Sequence, residues 1–421
     1  MEGPDNSRRQ SLYIQHYDCG EKMMIRRQDG FTLVELMIAM AIFVFAIAAT
    51  SQIFTGLLTQ FKQQTKIAET NIEGVIGLEI LRRDIEMAGF GLPFDLNGAT
   101  YTEAVNDPNT NQNETGYNDA GTNPPRALVS GDGQGAGNSD VLVIKATNVA
   151  INNAAERWTY VSEKNGVYTI PVWRDVNGTI LSGENLRKNS SDSIHTDRVI
   201  AVQPVLGSRR RVLVSSGGIF FTQFNPSNAD PPVIGSKFQP VVDSLETYMI
   251  YGVIVDVDPR MPFNRADYYV RVPLTPPARC APGTGVLYKG VVVNKKGVSG
   301  GNLTEYPLLN CVADMQVVYR LDTTADGNID TSTGNIAALT AKQVRDQVKE
   351  VRVFMLVHEG QRDATFRFNN FIPPPTVCAT CIRVGDATGG RDFDVSGITN
   401  YLNYRWKVYT MIVDPENLRE L

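Results

Sequence analysis

The chain has 421 residues and a formal net charge of −5, from 40 Lys and Arg against 45 Asp and Glu. That balance excludes a surface that is basic overall and speaks against direct nucleic-acid binding. The length allows two subdomains at about 150 residues each beside an N-terminal segment, and 36 Gly with 9% aromatic residues suit a β-rich head.

Residues 1–22 carry Pro4, His16, Cys19 and scattered charges without apolar periodicity, so they read as neither a secretion signal nor a helix. Met23 and Met24 offer closer starts, and translation from one of them is expected. Arg26 and Arg27 flank an apolar run and predict a cytoplasmic N-terminal side by the positive-inside rule, with the rest of the chain outside.

That run begins at Phe31, carries Glu35 as its one charge, and has no charged residue from Leu36 to Phe61. A carboxylate within a membrane span costs roughly 3 kcal/mol on insertion scales unless something neutralises it, which makes Glu35 a candidate functional residue in need of a partner. Cleavage after Gly30 would supply one, the new amine of Phe31. In one helix the two groups lie about a turn apart. Between neighbouring helices, Glu35 of one subunit can neutralise the amine of the next and fix their register.

Apolar residues continue at Phe61, Ala68, Ile72, Val75, Ile76, Leu78, Leu81, Ile85 and Ala88, mostly three and four apart, with Gln60, Lys62, Gln63, Lys66, Glu69 and Glu73 between them. Gly89, Gly91 and Pro93 supply stop signals. The spacing predicts one helix over 32–88, roughly 85 Å long, its first half in the membrane and its second half on the head. Gly56, Gly74 and Gly77 are expected to mark bends or close packing.

Residues 95–138, rich in Asn, Asp, Gly, Thr and Pro, read as an exposed, mobile loop. Strands are expected at 139–146, 248–257, 268–272, 285–293, 312–321, 348–357 and 404–413. Alternation predicts antiparallel sheets with one buried face. Val351, Val353, Met355 and Val357 share one face, and Trp406, Val408 and Ile412 point inward. A short helix is expected at 341–347, with Thr340 as N-cap and Gln343 completing a capping box. The fold class is therefore α+β. The segments are 1–30 (leader), 31–93 (helix), 94–240 (β-rich, with long polar loops) and 241–421 (β-rich, with cysteines), the boundary near 240 resting on the Pro-rich stretch 228–240.

Beyond the leader's Cys19, four cysteines remain: Cys280, Cys311, Cys378 and Cys381. An even number in an exported chain reads as disulfides. Cys280–Cys311 with the tight Cys378–Cys381 loop after Pro373, Pro374 and Pro375 is the favoured pairing. A four-thiolate zinc site and a redox-active C-x-x-C are the alternatives.

Residues 322–330 resemble a calcium loop. Asp322, Thr324, Asp326 and Asp330 offer oxygens, Asn328 its carbonyl, and Gly327 a sharp turn. Thr324 and Thr333 depart from the EF-hand pattern, and a polar hairpin turn explains the same letters. Ca2+ is thus the one candidate cofactor. Gly297-Val298-Ser299-Gly300-Gly301 has the letters of a nucleophile elbow, but no helix pattern follows it. His195 sits in a polar loop sequence, and Gly131-Asp132-Gly133-Gln134-Gly135 precedes a strand where a phosphate cradle must follow one. No catalytic constellation emerges, and no enzyme is expected.

Gly30, Phe31 and Glu35, within Gly-Phe-Thr-Leu-Val-Glu, resemble the class III signal of type IV prepilins. The resemblance implies cleavage after Gly30 by a prepilin peptidase, N-methylation of Phe31, and inter-subunit pairing through Glu35. Further stretches resemble PilW-type minor pilins: 81–90 at the helix end, 139–144 as the first head strand, then 348–353, 358–362 and 404–407. This implies a minor pilin that primes assembly, sits at the pilus tip, and serves motility or adhesion. Its implied partners are other minor pilins, the major pilin and the inner-membrane assembly platform. Its implied location is the inner membrane with a periplasmic head, then the pilus surface. A type II secretion pseudopilin shares every N-terminal feature, and a pilin-anchored adhesin is the alternative of another class.

Overall fold

The computed structural model describes residues 30–110, 112–169, 197–205, 210–224, 236–298, 303–372 and 378–418. The leader with Cys19, Met23 and Met24, the residues His195 and Ser299, and Pro373 to Pro375 lie outside them. The chain divides into two compact units, one ending at Gln60 and one spanning Phe61–Leu421.

Helix α1 (Leu33–Glu86) supplies the described part of the first unit. All residues from Gly30 to Gln60 are exposed, so this apolar run has no cover among the described residues. The helix is long and apolar enough to cross a membrane.

In the second unit the chain forms β1 (Leu128–Gly131), β2 (Val141–Ala146), β3 (Trp158–Lys164), β4 (Val167–Thr169), β5 (Asp197–Pro204), β6 (Arg211–Leu213), β7 (Thr222–Gln223) and β8 (Thr247–Val255). It continues with β9 (Asn264–Arg271), β10 (Gly285–Val292), β11 (Leu303–Leu321), β12 (Thr331–Thr333), helix α2 (Ala341–Gln347), β13 (Val348–Glu359), β14 (Cys381–Asp386), β15 (Gly389–Asp394) and β16 (Arg405–Val413). The main sheet runs β1-β2-β9-β10-β11-β13-β16, with β12 on β11. A second sheet runs β4-β3-β8-β5-β6, with β7 on β5, and β14-β15 form a hairpin. The strand pairs are antiparallel.

β2 pairs with β9, Ala146 opposite Asn264, although the second sheet lies between them in sequence. The boundary expected near 240 therefore separates neither sheet. Segment 128–146 belongs with 264–413, and β8 belongs with β3 and β5.

One face of the main sheet packs against the second half of α1. Leu81 and Ile85 are fully buried there among Tyr268, Leu287, Val353 and Met355. Gly77 makes the close approach possible, since a Cβ at this position would lie 2.2 Å from the Leu308 carbonyl oxygen. The other face is also covered. Val318, Phe354 and Leu356 pack under Ile382 and Val384 of the hairpin with Trp406 and Phe368. The expectation of a single buried face thus fails for this sheet. Val351, Val353, Met355 and Val357 do share a face, and Trp406 and Val408 pack inward, but Ile412 is exposed.

α2 has the expected capping box, with Thr340 accepting from the Gln343 N–H and Gln343 reaching back to the Thr340 N–H. β11 begins at Leu303, well before residue 312. Pro307 lies inside it, opposite Tyr288, where the β10–β11 register shifts, and a proline inside a run masks a strand.

Segment 95–127 is not an exposed loop. Leu96, Ala99, Tyr101, Glu103, Ala104, Asp107, Thr110, Glu114 and Tyr117 are buried. Glu103 accepts from Lys145 of β2 at 2.7 Å and from Arg265 of β9 at 3.1 Å, all three with fully buried side chains. Asp119 takes a second bond from Lys145 at 2.7 Å and one from Arg126 at 2.6 Å. A polar composition reads as solvated when nothing in the segment itself shows where its charges go. Here they pair with cations on the sheet.

Candidate functional site

Gly30 and Phe31 precede α1, outside the helix, and Phe31 is 86% exposed. The bond after Gly30 is therefore open to an enzyme. Thr32 caps the helix. Its N–H and hydroxyl donate to Glu35 Oε2 at 2.9 and 3.0 Å, and the Glu35 N–H donates to the Thr32 hydroxyl at 3.3 Å. Thr32-x-x-Glu35 is thus a reciprocal capping box that satisfies helix-end donors otherwise left bare. The spacing was readable in the sequence, where the charge of Glu35 drew attention away from it. Within one chain Glu35 is already held beside the helix start. Its second oxygen remains for a cation at the same place.

Residues 25–51 match the family described as the prokaryotic N-terminal methylation motif. That match supports a type IV prepilin-like or pseudopilin protein. No curated protein and no solved structure matched the chain. The motif together with the apolar helix indicates membrane anchoring.

Cys280–Cys311 and Cys378–Cys381 are disulfides in the head of this prepilin-like chain. The first ties the turn before β10 to the middle of β11, where Cys311 adopts a left-handed φ of 61°. A loop of that length contributes about 3–4 kcal/mol in the chain-entropy account. With each sulfur bonded to another, the four-thiolate zinc arrangement does not form. His358 lies against the first disulfide, fully buried. Its Nε2 accepts from the Ala281 N–H at 2.8 Å, and burial pushes its pKa down to about 4.

In the 322–330 loop the carboxylates hold the turn itself. Asp322 accepts from the N–H groups of Gly327 at 2.9 Å and Asp326 at 3.3 Å. Asp326 accepts from the Asn328 N–H at 2.8 Å. Asp330 accepts from the N–H groups of Thr323 and Thr324 and from both hydroxyls. Hydrogen bonds from Thr331 and Thr323 hold its pKa down at about 2. Among the described residues, the groups of three or more potential ligands whose atoms converge within 4.8 Å are Cys280–Cys311–His358 and Cys378–Cys381–Asp394. The loop is not one of them. Gly131 to Gly135 form the β1–β2 connection, where the Gly133 N–H donates to Asp140 at 2.9 Å.

Sequence reasoning missed the buried ionic cluster of Glu103, Asp119, Lys145, Arg265 and Asp267. Its one signal was Lys145 inside the apolar run Val-Leu-Val-Ile-Lys-Ala. A lysine there must find an anion from another part of the chain.

Proposed function

We propose that this protein is a minor pilin of a type IV pilus, cut after Gly30 by a prepilin peptidase, methylated on Phe31, and active in pilus assembly. The observation that carries the reading is the Gly30–Phe31 junction at the head of an uncovered apolar helix, with Glu35 held at its first turn. An apolar surface of this extent requires lipid or other helices to cover it, and a filament core of packed N-terminal helices supplies both in succession. In that core, Glu35 of one subunit neutralises the Phe31 amine of the next.

The head is a single large unit. A head of this size is hard to repeat at every position of a tightly wound filament and is tolerated at an end, which favours a PilW-like tip or priming role among other minor pilins. Calcium is a candidate ligand of residues 322–330 in this reading. Its binding would require Asp322 and Asp330 to exchange backbone N–H donors for the ion, and calorimetry with millimolar calcium tests it.

Mass spectrometry of sheared surface filaments and of the inner-membrane fraction tests the function. A peptide starting at methylated Phe31 in filaments is the expected result. The same peptide confined to the membrane fraction of piliated cells favours the pseudopilin. An intact Gly30–Phe31 bond in cells with active prepilin peptidase overturns the proposal.

A further inference from the structure

Arg260, between β8 and β9, is only 6% exposed, and its Nε has no hydrogen-bond partner. Its backbone is held on both sides. The N–H donates to Asn294 Oδ1 at 3.0 Å, and the carbonyl accepts from the Thr102 N–H at 3.0 Å. The guanidinium lies near the buried ionic cluster, yet no carboxylate pairs with it among the described residues. The carboxylates nearby are committed. Glu103 serves Lys145 and Arg265, Asp119 serves Lys145 and Arg126, and Asp267 holds Arg265 through both oxygens at 2.7 Å. Glu114 is turned to the Thr110 hydroxyl and the Asp107 N–H. Among the described residues, Arg260 is thus the cation of this cluster without an ion pair.

Arg260 lines a cavity of about 400 Å³ with Glu103, Asn118, Asp119, Gly121 and the backbone around Thr102. Burying a guanidinium without a counterion is costly, and arginine is built to grip planar oxyanions through a fork of donors. The volume lies at the small end of the range for ligand pockets. Burial and the nearby Arg265 charge push the Arg260 pKa down, against the pull of Glu103.

We propose that this cavity binds a small molecule carrying one carboxylate, of monosaccharide or organic-acid size, with the carboxylate on Arg260. The fork of donors on Arg260, which has no ion pair among the described residues, matches a single carboxylate. A doubly charged phosphate would meet Glu103 and Asp119 at the cavity wall. The site does not depend on the pilin assignment, since it rests on the head alone.

The test is calorimetric titration of the full chain in detergent micelles with glucuronate, glucose and inorganic phosphate. The expected result is saturable millimolar or tighter binding of glucuronate, none of glucose, and weaker binding of phosphate. Arg260→Gln should weaken glucuronate by at least about tenfold, a loss of 1.4 kcal/mol or more, and should raise the thermal midpoint of the ligand-free protein by removing an unpaired buried charge. Absence of saturable glucuronate binding overturns the proposal, as does equal binding of glucose, tighter binding of phosphate, or undiminished binding to the variant. If Arg260→Gln does not fold, the wild-type contrast between glucuronate and glucose still decides.

Discussion

Lys289 of β10 places its ammonium 2.5 Å from the Asp84 carboxylate of α1, and the Tyr268 hydroxyl of β9 donates to the same oxygen at 2.5 Å. Both charged residues are buried, and burial raises the Asp84 pKa against the pull of Lys289. The pair fastens the second half of α1 to two strands of the main sheet. Removing one member strands the other. Asp84→Ala should cost about 3–5 kcal/mol in urea unfolding, because Lys289 keeps a buried, unpaired charge. Tyr268→Phe should cost about 1 kcal/mol, one hydrogen bond. Equal losses would show that the charge pair is not what holds the helix.

The two glycines of α1 in the second unit should behave oppositely. A Cβ at Gly77 would lie 2.2 Å from backbone oxygen of β11, whereas at Gly74 the nearest atom is a Leu309 methyl at 3.5 Å. Gly77→Ala must therefore push the helix off the sheet, and its thermal midpoint should fall steeply. Gly74→Ala makes ordinary contact and should gain up to about 1 kcal/mol of helix propensity. Melting curves of the two variants check this, and a harmless Gly77→Ala would contradict the close approach.

Glu35 caps the helix start and, in the proposed filament, pairs by charge with a neighbouring subunit; the two can be separated. Glutamine completes a capping box as glutamate does but carries no charge. Glu35→Gln should insert in the membrane, keep the start of the helix, and still enter filaments poorly. Glu35→Ala should lose both functions. Quantifying each variant in sheared filaments against the membrane pool decides, and wild-type incorporation of Glu35→Gln would remove the charge pairing.

These variants also show what the sequence disclosed. The α2 capping box, the alternation of Val351, Val353, Met355 and Val357, and the even cysteine count are local patterns, each legible within a dozen or so residues. The Gly30–Phe31–Glu35 signal is local too. Arg265 has one carboxylate close by in sequence, Asp267, but Glu103 and Asp119, which hold Lys145 and the rest of Arg265, lie in segment 95–127, far off along the chain, and no local pattern foretells that pairing. The hairpin β14–β15 escaped for another reason. Its sequence Cys-Ile-Arg-Val-Gly-Asp-Ala-Thr-Gly-Gly-Arg-Asp-Phe-Asp is too charged to read as buried, though Val384 has no exposure. Arg391 is neutralised by Asp314 of β11 at 2.7 Å, a contact that only the fold creates.

Two buried groups should pull the stability of the head in opposite directions with pH. Burial raises the Asp140 pKa to about 6, with the Asp132 and Asp314 charges adding to it. The folded state therefore binds the extra proton between the ordinary carboxylate range and pH 6, and this contribution to stability is lost as pH rises through that window. Burial lowers the His358 pKa to about 4, so the unfolded state binds the extra proton from about pH 4 to 6.5, and stability is lost as pH falls. Each amounts to about 2–3 kcal/mol. In Asp140→Asn the thermal midpoint should climb from pH 4 to 6.5. In His358→Asn it should decline over the same span. Parallel profiles for wild type and both variants would refute the assignment.

The pairing of β2 with β9 sets an order of events for a chain that emerges N-terminal end first. Residues 141–146 emerge early and are buried in the finished sheet, yet their partner begins only at Asn264. Closing so long a loop costs entropy that no local contact repays at that moment. β16, at the edge of the same sheet, ends at Val413, so the sheet completes only when nearly all of the chain has emerged. Until then the apolar strands and the Leu81–Ile85 face of α1 lie open together, and whatever shields them in that interval is as much a condition of a working subunit as the cut at Gly30.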